Sequence, residues 1–171
     1  MKIQNKEFKI AIADIETLKC CSMFGFYDFE NDQWHIFEIS EFKNDLYAFV
    51  KFYSKNNWDR IVWFNGIDFD TQVIEYILKE HDKWFNFNGL EIAKLIYEQA
   101  QKVIDNKNYG VFNEFRVDYM EIKPIDVYTI LGLDNEARRS SLKKPNYLQA
   151  KFWMPPTINT KSTLIICTEG R

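Results

Sequence analysis

A chain of 171 residues has the size of one ordinary domain and is long enough to bury a full core. Apolar residues make up 46% and aromatics 17%, which excludes global disorder. The net charge of −3 excludes a broad basic coat for nucleic acid but leaves room for a local contact surface.

Residues 8–14 are apolar and β-branched or small, which predicts a buried strand. Residues 20–29 and 33–39 predict two more strands. The turn Glu30-Asn31-Asp32 joins them, so residues 8–39 should form a three-stranded antiparallel meander. Ser40 is expected to cap a helix over about 41–55, with Leu46, Phe49, Val50 and Tyr53 on one face. Residues 61–64 are a short apolar strand after that helix. Strand, helix, strand implies a crossover, so this strand should run parallel to the first. A second helix is expected from Asp68 or Phe69, with Val73, Ile74, Tyr76 and Ile77 as its stripe. An aromatic loop, Trp84 to Gly89, precedes a third helix over 90–104, and 105–109 read as a turn. Residues 120–127 predict a strand, and Pro124 sends it to an edge or a strand start. Residues 138–149 have helical character, broken at Pro145. From residue 154 the texture changes to an atypical tail.

Three cysteines, Cys20, Cys21 and Cys167, disfavour a disulfide framework and fit a reducing cytosol. The two histidines, His35 and His81, stand too far apart for a zinc motif. No run of about 18 apolar residues could span a membrane. The first seven residues lack the apolar core of a signal peptide.

Two apolar runs end in carboxylates. Asp14 and Glu16 close the first; Asn65-Gly66-Ile67-Asp68-Phe69-Asp70 follows the second. An Asp-x-Glu triplet alone arises by chance in roughly one such chain in two. Its position makes it informative: side chains two apart on a strand share a face, so Asp14 and Glu16 can share one ion. Without a cation they would repel, and one would hold a proton. Asn65-Gly66 turns the chain into a helix, where Asp68 reads as the N-cap and Asp70 as a first-turn residue.

Asp14-Ile15-Glu16-Thr17 resembles the first motif of the DEDD 3′–5′ exonucleases. Asn65 to Asp70 resembles their second motif in its family-B polymerase and phage-type form. Residues 125–128 resemble the strand after the second motif, and Ser141-Leu142-Lys143 the start of the helix before the third. The resemblance covers about residues 8–150. It implies an α/β, ribonuclease H-like mixed sheet, an antiparallel meander plus parallel strands, flanked by helices. It implies two Mg²⁺ or Mn²⁺ ions on Asp14, Glu16 and Asp70, and hydrolysis at nucleic-acid 3′ ends, DNA favoured. Thr17, Asn65 and Phe69 would contact the terminal nucleotide, and Asp126 would be structural. Single-stranded DNA is then the partner, with a polymerase or replication protein as a second one and no membrane. A Lys-, Asn-, Ile- and Phe-rich composition suggests an AT-rich source, and the expected location is the cytoplasm of a bacterium or of a phage's host.

The chain departs from the family in its third motif, a Tyr or His followed four residues later by Asp. Nothing of that form follows Asp134, so the fourth carboxylate is not found. Residues 1–153 thus read as an exonuclease domain that is incomplete at its C-terminal side, with 154–171 as the tail. The rival reading is a catalytically silent module that binds nucleic acid or a replication partner. Arg138, Arg139 and Lys143, with Lys144 and Lys151, could follow a phosphate backbone or simply form a solvated helix face. Trp84, Phe85 and Phe87 could stack bases, but loop packing is the favoured role.

Overall fold

The computed structural model describes the backbone of residues 2–3 and 6–133 and the side chains of residues 8–130. Two units divide the chain, Met1–Val127 and Tyr128–Arg171. The first holds nearly everything described. A short antiparallel pair, β1 (Lys2–Ile3) and β2 (Lys6–Glu7), opens it. The main sheet has five strands: β3 (Ile10–Leu18), β4 (Cys21–Asp28), β5 (Gln33–Ser40), β6 (Arg60–Trp63) and β7 (Lys123–Asp126). Their order is β5-β4-β3-β6-β7. β3, β4 and β5 form the antiparallel meander, whereas β6 lies parallel to β3, and β7 parallel to β6. The helices are α1 (Leu46–Lys55), α2 (Asp70–Glu80) and α3 (Gly89–Asn108), and α4 (Val127–Leu133) starts at the division between the units. The protein is therefore α/β, with one mixed five-stranded sheet flanked by helices. Among the described residues no helix is long and apolar enough to cross a membrane.

Strand alternation selects the core. Ala11, Ala13 and Ile15 share one face of β3 and are buried. On the same face of β4, Phe26 stands opposite Ala13 and Phe24 opposite Ile15. The small alanines leave room for the large rings beside them. Phe26 meets Phe37, Phe49, Phe52, Tyr53, Trp58 and Trp63, and Phe24 stacks on Phe49 with centroids 4.7 Å apart. The buried stripes Leu46, Phe49 and Tyr53 of α1, Val73, Ile74 and Ile77 of α2, and Ile92, Ile96 and Ala100 of α3 complete this core.

Four boundaries differ from expectation, each for a local reason. Ser40 does not cap α1. It ends β5, and its hydroxyl accepts from the backbone N–H groups of Phe42 and Lys43, so the chain turns before α1 starts at Leu46. α2 follows Phe69, and Asp68 is not its cap. Instead Asp68 accepts from Lys107 Nζ at 3.1 Å and Asn113 Nδ2 at 3.2 Å. α3 begins at Gly89 because Asn88 and Glu91 form a reciprocal capping box. A side chain at Gly89 would lie 2.1 Å from the Ser40 carbonyl oxygen, so only glycine fits. The same helix runs on through residues 105–108, read above as a turn, since four more residues extend its ladder. In the aromatic loop, Trp84 is buried against Tyr76 as packing predicts, but Phe85 (78% exposed) and Phe87 (43%) are not. Cys21 is free and buried.

Candidate functional site

β3 outruns its parallel neighbour. Its last residue paired with β6 is Ile12, and β6 itself stops at Trp63. The edge of β3 beyond that point needs another hydrogen-bond partner, and α2 supplies it. The Ile15 N–H donates to Asp70 Oδ1 at 3.3 Å. This contact sets the first turn of α2 beside the carboxyl end of β3. The chain reverses its direction across the sheet here: β4 and β5 lie on one side of β3, β6 and β7 on the other. Crevices of this kind, outside the carboxyl ends of parallel strands, are where open α/β sheets bind ligands.

The loop from β6 to α2 is fixed from several directions. Asn65 has φ 59°, a left-handed conformation that Asn tolerates better than most residues. A Cβ on Gly66 would lie 2.5 Å from Trp63 Cβ and 3.1 Å from Asp70 Oδ2, so the backbone passes where no side chain fits. Asp126, at the end of β7, accepts from the N–H groups of Asn65 at 2.9 Å and Ile67 at 3.3 Å. The Gly66 carbonyl accepts from the Thr71 N–H at 2.9 Å, and Thr71 Oγ1 donates to the Ile67 carbonyl. Gln72, almost fully buried, exchanges two hydrogen bonds with the backbone of Phe115.

Asp14 and Asp70 meet inside this frame. Their carboxyl groups act on each other, and a proton between them would relieve the repulsion. Burial is the largest cause that raises the Asp14 pKa, to about 8, with the charges of Asp70 and Glu16 adding to it. Burial also raises Asp70, to about 6. The N–H groups of Ile15 and of Asp70 itself counter that rise. The pair as a whole therefore holds a proton above the ordinary carboxylate range. Glu16 is the most exposed of the three; partial burial raises its pKa too. Its charge acts on both aspartates.

All three groups offer hard oxygens, which suit Mg²⁺ or Mn²⁺. The pair already shares one positive charge, a proton, and a cation can replace it. Among the described residues, however, no group of three or more His, Cys, Asp or Glu is gathered as a metal site. The donor set fits a divalent cation through the Asp14–Asp70 pair, with Glu16 as a neighbouring charge.

The remaining expected site residues divide. Asn65 is exposed beside the pair, with its backbone held by Asp126. Phe69 packs against the core and is half-buried. Thr17 is half-buried, and strand alternation sends its side chain to the face opposite Asp14 and Glu16. Asp126 is structural, as expected. Arg138, Arg139 and Lys143 lie outside the described residues, as does the region of the third motif. Sequence reasoning missed Gln72 and the free edge of β3. An amide next to the apolar stripe of α2 was the one available signal for Gln72. Compared with family models, curated proteins and solved structures, the chain matches none of them.

Proposed function

We propose that this chain is a ribonuclease H-like, metal-dependent 3′–5′ exonuclease domain that acts on DNA ends. The observation that carries the reading is the half-buried Asp14 beside the buried Asp70 at the carboxyl end of β3, both with raised pKa. Two carboxylates brought together out of water are costly unless a positive charge joins them. The mixed sheet, with its meander followed by parallel strands, supports the same reading.

Asp14 and Asp70 would hold Mg²⁺ or Mn²⁺, with Glu16 adding negative charge at the open side. A bound cation supplies charge that activates water and stabilises the leaving 3′ oxygen. The protein's own groups set the geometry. The Ile15 N–H orients the Asp70 carboxylate, and Asp126 fixes the loop that presents Asn65 to an incoming strand end. Asp14 must lose its proton before it can act as a ligand, so activity should rise with pH toward its raised pKa of about 8.

The test is degradation of a 5′-labelled single-stranded oligonucleotide with Mg²⁺ and then Mn²⁺, beside Asp14→Ala. A ladder that shortens from the 3′ end, lost in the variant, is the expected result. One observation favours the second reading, a silent module that binds nucleic acid or a replication partner: no third ligand is gathered among the described residues. Binding of the oligonucleotide without cleavage by folded protein would select it.

A further inference from the structure

The sheet face that carries Asp14 and Glu16 continues across β4 and β5. Directly opposed residues of paired strands lie on one face. Ile12 stands opposite Tyr27, and Tyr27 opposite Trp34. Asp14 stands opposite Gly25, and Gly25 opposite Ile36. Tyr27, Trp34 and Ile36 therefore share the face of the carboxylates. Strand spacing places Tyr27 roughly 8 Å and Trp34 roughly 12 Å from Asp14. Because Gly25 fills the position between Asp14 and Ile36, no β4 side chain separates those two.

This patch differs from the core side of the same strands. There Phe24 and Phe26 are fully buried. Here Phe29 is 55% and Ile36 38% exposed, and Tyr27 and Trp34 are half-buried. The rings nevertheless form one group: the Tyr27 centroid lies 5.0 Å from that of Phe29 and 5.2 Å from that of Trp34. The turn beneath them is fixed. The Tyr27 hydroxyl donates to Asp32, which has φ 51°. Asp28 accepts from the Glu30 N–H at 2.8 Å and from Asn31 Nδ2 at 2.8 Å, and Glu30 pairs with Lys9. Rings held in place yet open to water offer a ready surface to a flat apolar partner.

Charge narrows the choice of partner. With a net charge of −3 the chain has no general attraction for phosphates, so a nucleic-acid strand must be gripped by its bases. Every base has a π-face that stacks on an aromatic ring, whatever the sequence. We propose that Tyr27, Phe29 and Trp34 form a stacking platform for the unpaired bases of the strand whose end is delivered to Asp14 and Asp70. For its ligand the platform rests on the nuclease reading. Bases lie against the three rings, and Ile36 gives apolar floor on the way to the carboxylates. A duplex keeps its base faces stacked inside, so the platform selects single-stranded ends.

The experiment mixes the whole chain with a labelled thymidylate oligonucleotide in EDTA, where nothing is cut, and reads fluorescence anisotropy. A strand of equal length built of abasic sites is the comparison. The thymidylate strand should bind at least about tenfold tighter. Phe29→Ala and Trp34→Ala should each weaken it by roughly 5- to 100-fold and leave the abasic strand unchanged, whereas Trp34→Phe keeps a ring and most of the affinity. Phe29 is exposed, so its variant should stay folded, which circular dichroism checks. Equal binding of the two strands, or full affinity in both alanine variants, overturns the platform. So does a dimer in sedimentation that Phe29→Ala dissolves without any base-dependent binding, which would assign the patch to a second copy. Cleavage with Mn²⁺ is read separately. Base-dependent binding without cleavage supports the platform and removes the nuclease reading. Cleavage with a KM that neither alanine variant moves supports the nuclease and overturns the platform.

Discussion

One strand carries two regions with opposite chemistry. On one face of β3, Ala11, Ala13 and Ile15 meet rings and aliphatic chains with nothing left over. One residue away in each case, Asp14 and Glu16 stand with Asp70 where charge is unsatisfied and a proton is held to relieve it. The core side is built for stability alone. The carboxylate side costs stability, which under the proposed function a cation would restore. The lesson is that strand alternation can put both on adjacent residues, because a period of two separates the faces completely.

The largest effect should come from the core side. Phe26→Ala removes the ring at the centre of the aromatic cluster and should cost about 3–5 kcal/mol, read from denaturant unfolding. A loss under about 1 kcal/mol would mean that the two faces of β3 are not so different.

Asp14→Ala is the matching change on the other face. Under the proposed function it should lower exonuclease rate by on the order of 100-fold or more, since a direct ligand would count for more than the 10–100-fold of an outer partner. Its stability should not fall, because the repulsion from Asp70 and Glu16 goes with the carboxyl. A variant that unfolds and loses activity together would erase the contrast.

How much of this was legible in the sequence follows the same division. The meander, the parallel β6 and the edge position of β7 could be read from apolar periodicity and Pro124, because burial writes a regular pattern. Asp14 and Glu16 could be read because both sit on one strand. The contact of Asp14 with Asp70 could be anticipated only by resemblance, since 55 residues separate Ile15 from the Asp70 that caps its N–H. The start of α1 was misread because Ser40 has the same local preference for a turn as for a cap. Gln72 and its exchange with Phe115 left no pattern, because a single buried amide has no period.

Asp126→Ala tests the support between the two regions. It strands the N–H groups of Asn65 and Ile67 and should cost about 1–3 kcal/mol in unfolding free energy. The rate should fall more than for a distant change of equal cost, because the loop before Asp70 loosens. An unchanged rate would make the loop irrelevant to the site.

Asn88→Ala is the smallest and serves as the control. It breaks the capping box of α3 and should cost about 1 kcal/mol while leaving the rate untouched. A large loss of activity would mean that the N-terminal end of α3 acts on the carboxylates, far from its Lys107 contact with Asp68 at the other end.

The most direct test of the account is thermal stability of the metal-free chain against pH, with and without Mn²⁺. The Asp14 pKa is raised from 3.8 to about 8, so its contribution is full at low pH and lost as pH rises through that range. The metal-free chain should therefore weaken between about pH 5 and pH 8, whereas Mn²⁺, which displaces the proton, should stabilise it more at the higher pH. Asp14→Asn should flatten the pH dependence and abolish the response to Mn²⁺. An equal Mn²⁺ response in Asp14→Asn, or none in the parent at any pH, would contradict the claim that Asp14 and Asp70 form a cation site.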